Sequence, residues 1–348
     1  GKLLPDHIVW AKFTGADWLG DGFYYSAYDA PEKGKETSAK NEVQKVYYHK
    51  MGTPQSEDVL FYQNPANPLR FYSVSVITEA GMDQGTNLYV RDLRVPGSQF
   101  IQMTGDCSKN YAPAQIIGNR IYMVTNAGAP KYRMMVADIN KPGYNDWKEL
   151  VPETDAVLED VVFVDGDKMV LLYAKDNCSR AYLYNISGEK IREIKLPGVG
   201  CASFSGKRER KELFFSYTSY TVPTTIYRYD LDEDKSMVMS SPKVGFKLND
   251  YTSEMVFCTS KDGTRIPMFL TYKKGMKLNG KNPVLMYGYG GFNVSYPPSF
   301  SAMRMPFLEN GGVYVHVVLR GGGEYGEEWH LAGTKMRKQN VFDDFISA

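Results

Sequence analysis

Pro283-Val284-Leu285-Met286-Tyr287-Gly288-Tyr289-Gly290-Gly291-Phe292-Asn293 and, further on, Gly311-Gly312-Val313-Tyr314-Val315-His316-Val317-Val318-Leu319-Arg320-Gly321-Gly322-Gly323-Glu324-Tyr325-Gly326 share one plan. Each is an apolar run that ends in a glycine cluster. Val284–Tyr287 and Val313–Leu319 are rich in β-branched and aromatic residues, as buried strands are. Glycine lets a backbone turn sharply or approach a ligand closely. Ligands of α/β sheets bind at the carboxyl ends of strands. Two glycine-rich strand ends in succession therefore read as the floor of a binding or catalytic site.

Upstream, Glu254–Ser260 and Arg265–Tyr272 flank Lys261-Asp262-Gly263-Thr264, a hairpin with its turn glycine. Downstream, residues 340–348 read as a helix with Asp343 and Asp344 near its start, where carboxylates suit the helix dipole. Hairpin, strand, crossover, strand and helix is the order in which an α/β-hydrolase sheet begins. This grammar starts near Tyr251.

The first 250 residues follow a different rule. A short, often aromatic strand recurs, ending in Asp or a polar stand-in. With His49, Asp92, Asp138, Asn185 and Asp230 as markers, the intervals are 43, 46, 47 and 45 residues. A second strand precedes most markers: Phe23–Tyr28, Ile121–Asn126, Met169–Ala174 and Leu213–Thr218. A period in the mid-forties with several strands per unit is the signature of β-propeller blades. The second unit is irregular, because no turn signal falls between Tyr72 and Ile77. It is either an abbreviated blade or has a missing segment between about Val74 and Gly81.

Composition adds exclusions. The chain has 348 residues, 43% hydrophobic and 23% charged, enough for two globular domains. A net charge of +1 gives no electrostatic case for nucleic acid or an anionic membrane. The longest apolar run, Val313–Leu319, is far too short to span a bilayer. Cys107, Cys178, Cys201 and Cys258 are scattered without a CxxC pair and are expected as free thiols. His7 and His49 lack the paired spacing of a metal site. His316, inside an apolar strand, and His330 are expected to be structural. Arg320 and Glu324, flanking the triple glycine, are expected in scaffold ion pairs. Lys207-Arg208-Glu209-Arg210-Lys211-Glu212 reads as a solvated hairpin tip.

Five segments, in order, closely resemble the prolyl oligopeptidase (prolyl endopeptidase) family of serine peptidases. They are Tyr47-Tyr48-His49 with Gly52-Thr53 and Gln55-Ser56-Glu57-Asp58; Ser260-Lys261-Asp262-Gly263-Thr264 with Ile266-Pro267-Met268; and Met286 to Asn293. The last two are Leu319 to Gly326 with Trp329-His330, and Lys338-Gln339-Asn340-Val341-Phe342-Asp343-Asp344-Phe345. The resemblance implies a β-propeller of the seven-bladed type, N-terminally incomplete here over residues 1–250. It implies the N-terminal part of an α/β-hydrolase catalytic domain over residues 251–348. The chain is thus expected to begin inside a longer protein.

A serine hydrolase of this fold needs a G-x-S-x-G-type elbow, then an acid, then a His. No G-x-S-x-G occurs among these residues. In the resembled family the elbow follows the helix that begins near Phe342, so nucleophile, acid and base are all expected beyond Ala348. A polypeptide of these residues alone is expected to be inactive. The resemblance gives Tyr289 as the oxyanion donor, through its hydroxyl, and Phe292 as a wall of the pocket for the residue before the cleaved bond. Leu172 falls where some members carry a substrate-facing cysteine. The implied activity is hydrolysis of short peptides on the carboxyl side of proline, with the propeller gating access. No metal or organic cofactor is expected. The expected partners are short proline-containing peptides, with no nucleic acid and no membrane; the complete protein is expected as a monomer, cytoplasmic or periplasmic. One rival reading is an oligopeptidase B-like peptidase cleaving after basic residues. The other is a non-catalytic propeller interaction module, which would need neither glycine-rich segment.

Overall fold

The structure, a computed structural model, describes residues 3–73, 77–80, 85–91, 97–105 and 107–348. The chain divides into two compact units, Gly1–Ala127 with Met135–Glu149, and Gly128–Met134 with Leu150–Ala348. Five consecutive four-stranded sheets account for the first 240 residues. They are β1 (Asp17–Leu19), β2 (Gly22–Ala27), β3 (Lys45–Lys50) and β4 (Val59–Gln63); then β5 (Phe71–Ser73), β6 (Ile77–Ala80), β7 (Thr86–Val90) and β8 (Ile101–Gln102). The third is β9 (Tyr111–Ile117), β10 (Arg120–Thr125), β11 (Arg133–Asp138) and β12 (Lys148–Val151). The fourth is β13 (Val157–Val164), β14 (Lys168–Lys175), β15 (Cys178–Asn185) and β16 (Lys190–Ile194). The fifth is β17 (Cys201–Gly206), β18 (Leu213–Thr218), β19 (Thr225–Asp230) and β20 (Lys235–Ser240). Each is an antiparallel meander in which chain neighbours pair.

The described markers of the repeat, His49, Asp138, Asn185 and Asp230, lie on the third strands of their sheets. Asp138, Asn185 and Asp230 close β11, β15 and β19. Each side-chain oxygen accepts backbone N–H bonds from the turn that follows: Asn140 at 2.9 Å, Ser187 and Glu189 at 3.1 and 2.9 Å, and Asp232 and Glu233 at 3.0 Å each. A short carboxylate or amide at that position satisfies donors that the strand can no longer pair. Asp92 lies outside the described residues. So do residues 74–76 and 81–84, on which the expected missing segment falls; β5 and β6, on either side of 74–76, pair antiparallel with Ser73 opposite Thr78.

His49 holds the marker position in the first sheet by other means. Its Nδ1 lies 2.7 Å from Asp58 Oδ1 and its Nε2 3.1 Å from Asp6 Oδ1, and the ring is fully buried. Tyr25 Oη donates to the other Asp58 oxygen at 2.6 Å. Two carboxylates on one imidazole require both ring nitrogens to carry protons. Burial lowers the His49 pKa, but the bonds to Asp58 and Asp6 outweigh it and the net direction is upward. The packing of the first unit centres elsewhere, on Leu88, Met103, Ile121, Met123, Met135 and Trp147.

In the second unit, β13–β20 share a core of Val164, Leu172, Leu183, Leu213, Phe215 and Tyr229. Leu172 is buried there. Residues 207–212 join β17 to β18 as the expected hairpin tip, and Cys178, Cys201 and Cys258 are free thiols. The β14–β15 turn is Asp176-Asn177, both left-handed (φ 51° and 59°), the twist-matched geometry of a two-residue hairpin.

The sixth sheet begins at Tyr251. β21 (Tyr251–Thr259) and β22 (Arg265–Lys273) form the hairpin; β23 (Val284–Tyr287) and β24 (Val313–Val317) follow, in the spatial order β21-β22-β24-β23. β24 pairs antiparallel with β22 and parallel with β23. The crossover contains α1 (Met305–Glu309); α2 (Glu327–Leu331) and α3 (Gln339–Ser347) follow β24. Ile266, Val313, Val315, Val317, Leu319 and Val341 pack into one cluster, which seats α3 on the sheet. Among the described residues no helix is long and apolar enough to cross a membrane.

The His49 pair carries a signed expectation. Since the folded pKa is raised, the pairing stabilises fully below the unfolded value near 6.5 and fades as pH rises through the folded value. His49→Ala is expected to cost more in urea unfolding at pH 5.5 than at pH 9. Equal losses at both pH values would show that the ring is buried neutral.

Candidate active site

β23 and β24 run parallel, so both glycine clusters emerge at the same, carboxyl end of the sheet. Their loops are bonded together: Asn293 N donates to Gly321 O at 3.1 Å, and Lys338 Nζ, just before α3, donates to Gly290 O at 2.6 Å. Gly290 is required twice over. Its φ is 59°, and a Cβ there would lie 2.7 Å from the Arg320 carbonyl oxygen and 2.6 Å from Val341. Only a residue without a side chain allows the two strand ends to lie this close.

Tyr289 follows Gly288 at the end of β23 and is 43% exposed. Its hydroxyl has no hydrogen-bond partner among the described residues, so it is free to donate. Phe292 is 76% exposed and, with Asn293, adopts left-handed φ values of 54° and 57°. Two successive non-glycine residues in that region cost about 1 kcal/mol each. Leaving a phenylalanine ring in water forgoes roughly 2 kcal/mol of burial. The chain bears both costs at one position.

Behind these residues stands an aromatic group. Tyr296 has its ring centroid 5.3 Å from Tyr289 and 5.7 Å from Tyr287. Tyr287 stacks on His316 at 5.9 Å. His316 is buried; burial, then the Arg304 charge, holds its pKa at about 4. It is therefore neutral, and its Nδ1 is hydrogen-bonded with Tyr220 Oη at 2.6 Å. His330 Nδ1 bonds to Gly321 O at 2.9 Å. Both histidines are structural, as their sequence settings suggested.

Arg320 forms the expected scaffold pair, with partners that the sequence did not name. Its guanidinium meets Asp344 of α3 at 2.5 and 2.9 Å and Asp262 of the β21–β22 turn at 2.5 Å, and also reaches Thr264 at 3.2 Å and Ser260 at 3.3 Å. Ser260 Oγ donates to Asp344 Oδ1 at 2.6 Å. The two carboxylate bonds push the guanidinium pKa further up, against burial, and the Arg320 bond holds the Asp262 carboxyl well below the usual range.

Glu324 departs from expectation. It is 5% exposed and makes no ion pair among the described residues. Its Oε1 accepts from Tyr296 N at 3.0 Å, while its Oε2 is buried without a partner. Burial raises its pKa to about 7. On β13, desolvation and then the Glu324 charge raise the pKa of Glu159 to about 7. Among the described residues no group of three or more acidic, His or Cys side chains could hold a metal.

β-Propeller blades followed by the opening strands of an α/β-hydrolase sheet define the class of propeller-bearing proteins with an α/β-hydrolase-type domain. The profile of the prolyl oligopeptidase N-terminal beta-propeller domain matches residues 1–242, and that of the prolyl oligopeptidase family matches residues 298–348. The chain belongs to the prolyl oligopeptidase family. It is 41% identical over its whole length to a prolyl endopeptidase of Elizabethkingia meningoseptica, covering 50% of that protein. It is 35% identical over 99% of its length to a prolyl endopeptidase of Dictyostelium discoideum, again covering 50%. Among solved structures, prolyl oligopeptidase B of Galerina marginata, bound to a 35-residue hydrolysis and macrocyclization substrate, superposes with a TM-score of 0.93 at 30% identity. That match covers 99% of this chain and 50% of the other. The chain spans about half the length of the curated relatives it matches.

Two expectations follow from the geometry. Arg320→Ala leaves Asp344 buried without a countercharge and should destabilise by about 3–5 kcal/mol in denaturant unfolding of the whole protein. A loss below 1 kcal/mol would mean that the network is dispensable. For Glu324 the folded pKa is raised, so its contribution is greatest below pH 4.5 and is lost as pH rises through about 7. The protein should lose stability from pH 5 to pH 8 relative to Glu324→Gln, by up to about 3 kcal/mol. Parallel pH profiles would mean that the carboxylate is solvated.

Proposed function

We propose that the whole protein is a serine-type endopeptidase that hydrolyses short peptides on the carboxyl side of proline. On this reading residues 1–250 are the propeller domain and 251–348 the N-terminal part of the catalytic domain. The observation that carries it is Tyr289: an exposed, unpartnered hydroxyl at the end of β23, beside an exposed aromatic held on left-handed backbone. When an acyl carbonyl is attacked, its oxygen gains negative charge, and a donor placed in advance at that oxygen lowers the barrier. Tyr289 Oη is that donor. Phe292 offers a flat apolar face to a proline ring at the residue before the cleaved bond. The nucleophile, acid and base lie outside these residues, which contain no G-x-S-x-G.

Relatives named prolyl endopeptidases support proline specificity over cleavage after basic residues. The glycine-rich loops argue against a purely binding propeller, since such a module needs no oxyanion donor. The propeller then acts as a filter that admits short peptides. A monomer in a cytoplasmic or periplasmic setting goes with this reading, and no metal or cofactor enters it.

The test uses the whole protein and a chromogenic proline peptide. Tyr289→Phe should lower kcat by tens- to a thousandfold with little change in KM, because the oxyanion forms only in the transition state. Phe292→Ala should raise KM for proline substrates, because ring packing is shared by ground and transition states. A Tyr289→Phe enzyme with intact kcat contradicts the assignment. A polypeptide of these 348 residues alone is expected to show no turnover.

A further inference from the structure

Tyr296 stands out among the residues around Tyr289 because its backbone is held on both sides. Its N–H donates to the buried Glu324 carboxylate at 3.0 Å, and its carbonyl accepts from Asn177 Nδ2 at 2.7 Å. Asn177 is itself buried at the tip of the tight β14–β15 hairpin, with left-handed φ. Glu324 lies in the glycine-rich segment after β24. Tyr296 is thus clamped between that segment and a propeller hairpin, and its ring, tilted 46°, is set against the ring of Tyr289.

No hydrogen bond among the described residues fixes the Tyr289 phenol. Its own hydroxyl is free, its flanks are glycines, and it is nearly half exposed. A side chain in that position samples several rotamers, and a donor that must be preplaced loses effect with each alternative orientation. Tyr296 supplies a wall on one side. Tyr287, stacked on the neutral His316, backs Tyr296 in turn.

We propose that Tyr296 is a positioning residue for the Tyr289 hydroxyl, and that Glu324 and Asn177 act on the reaction through it by holding its backbone. This rests on the reading of Tyr289 as the oxyanion donor. The buried, otherwise unpaired Glu324 then has a purpose: a carboxylate that accepts one backbone N–H at a chosen place. The hairpin tip has one as well, because it makes the site's geometry depend on the propeller blade that carries Asn177.

The experiment is a double-mutant cycle in the whole protein, with kcat and KM measured on a chromogenic proline peptide. Tyr296→Ala should lower kcat about tenfold with KM within twofold, and Tyr296→Phe should restore it, since the ring is what acts. Glu324→Ala should lower kcat similarly, with Glu324→Gln, which keeps an acceptor, recovering most of the loss. In a Tyr289→Phe background, Tyr296→Ala should add no further loss, because the hydroxyl it positions is gone. Should Tyr296→Ala not fold, Tyr296→Leu keeps bulk without the ring and is expected to behave alike. Multiplicative losses in the double variant, or unchanged kcat for Tyr296→Ala, would overturn the inference while leaving Tyr289 as donor. Unchanged kcat for Tyr289→Phe alone would overturn both.

Discussion

The candidate site depends on one ion pair network, buried at Arg320 and Asp344 and half exposed at Asp262. Arg320 follows the last residue of the β24 apolar run, and its guanidinium joins the β21–β22 turn through Asp262 to α3 through Asp344. Such a pair gives little net stability, since desolvating each ion costs several kcal/mol that the mutual attraction must repay. Its effect is geometric. A planar fork that satisfies two carboxylates and two hydroxyls tolerates one arrangement of the three segments. That arrangement puts the Arg320 carbonyl 2.7 Å from where a Cβ on Gly290 would be, and so sets how closely the two glycine loops approach.

With the loops bonded, strain can be kept where it is useful. Phe292 and Asn293 sit in left-handed backbone while Asn293 N is anchored to Gly321 O. The exposed Phe292 ring and the free Tyr289 hydroxyl would each be more stable buried or bonded. The rigid base beneath them, sheet, α3 and arginine network, makes such unfavourable placements affordable. The same holds for Glu324, a buried carboxyl group whose Oε2 has no partner among the described residues.

Much of this was legible in the sequence. The spacing of His49, Asp92, Asp138, Asn185 and Asp230 anticipates five strand units, and at Asp138, Asn185 and Asp230 the turn that ends the third strand demands a short polar side chain. The hairpin around Asp262-Gly263 and the strand-glycine runs anticipate the sixth sheet. What escaped were contacts between positions far apart. The partners of Arg320 lie 58 and 24 residues away, and the Asn177–Tyr296 bond spans 119. Local pattern carries no information about such pairings. Glu324 misled for a related reason: a charged residue beside a bend usually finds a countercharge, and here it finds a backbone N–H. Tyr296, one aromatic among 26 tyrosines, offers no sequence signal that separates it from core.

The most direct test of the central claim is a crystal structure of the whole protein with a peptide aldehyde ending in proline, which forms a tetrahedral adduct with a serine nucleophile. The account predicts Tyr289 Oη within about 2.7–3.1 Å of the adduct oxygen, with the proline ring packed on Phe292. An adduct oxygen held by other donors, with the Tyr289 hydroxyl turned to solvent, would contradict it.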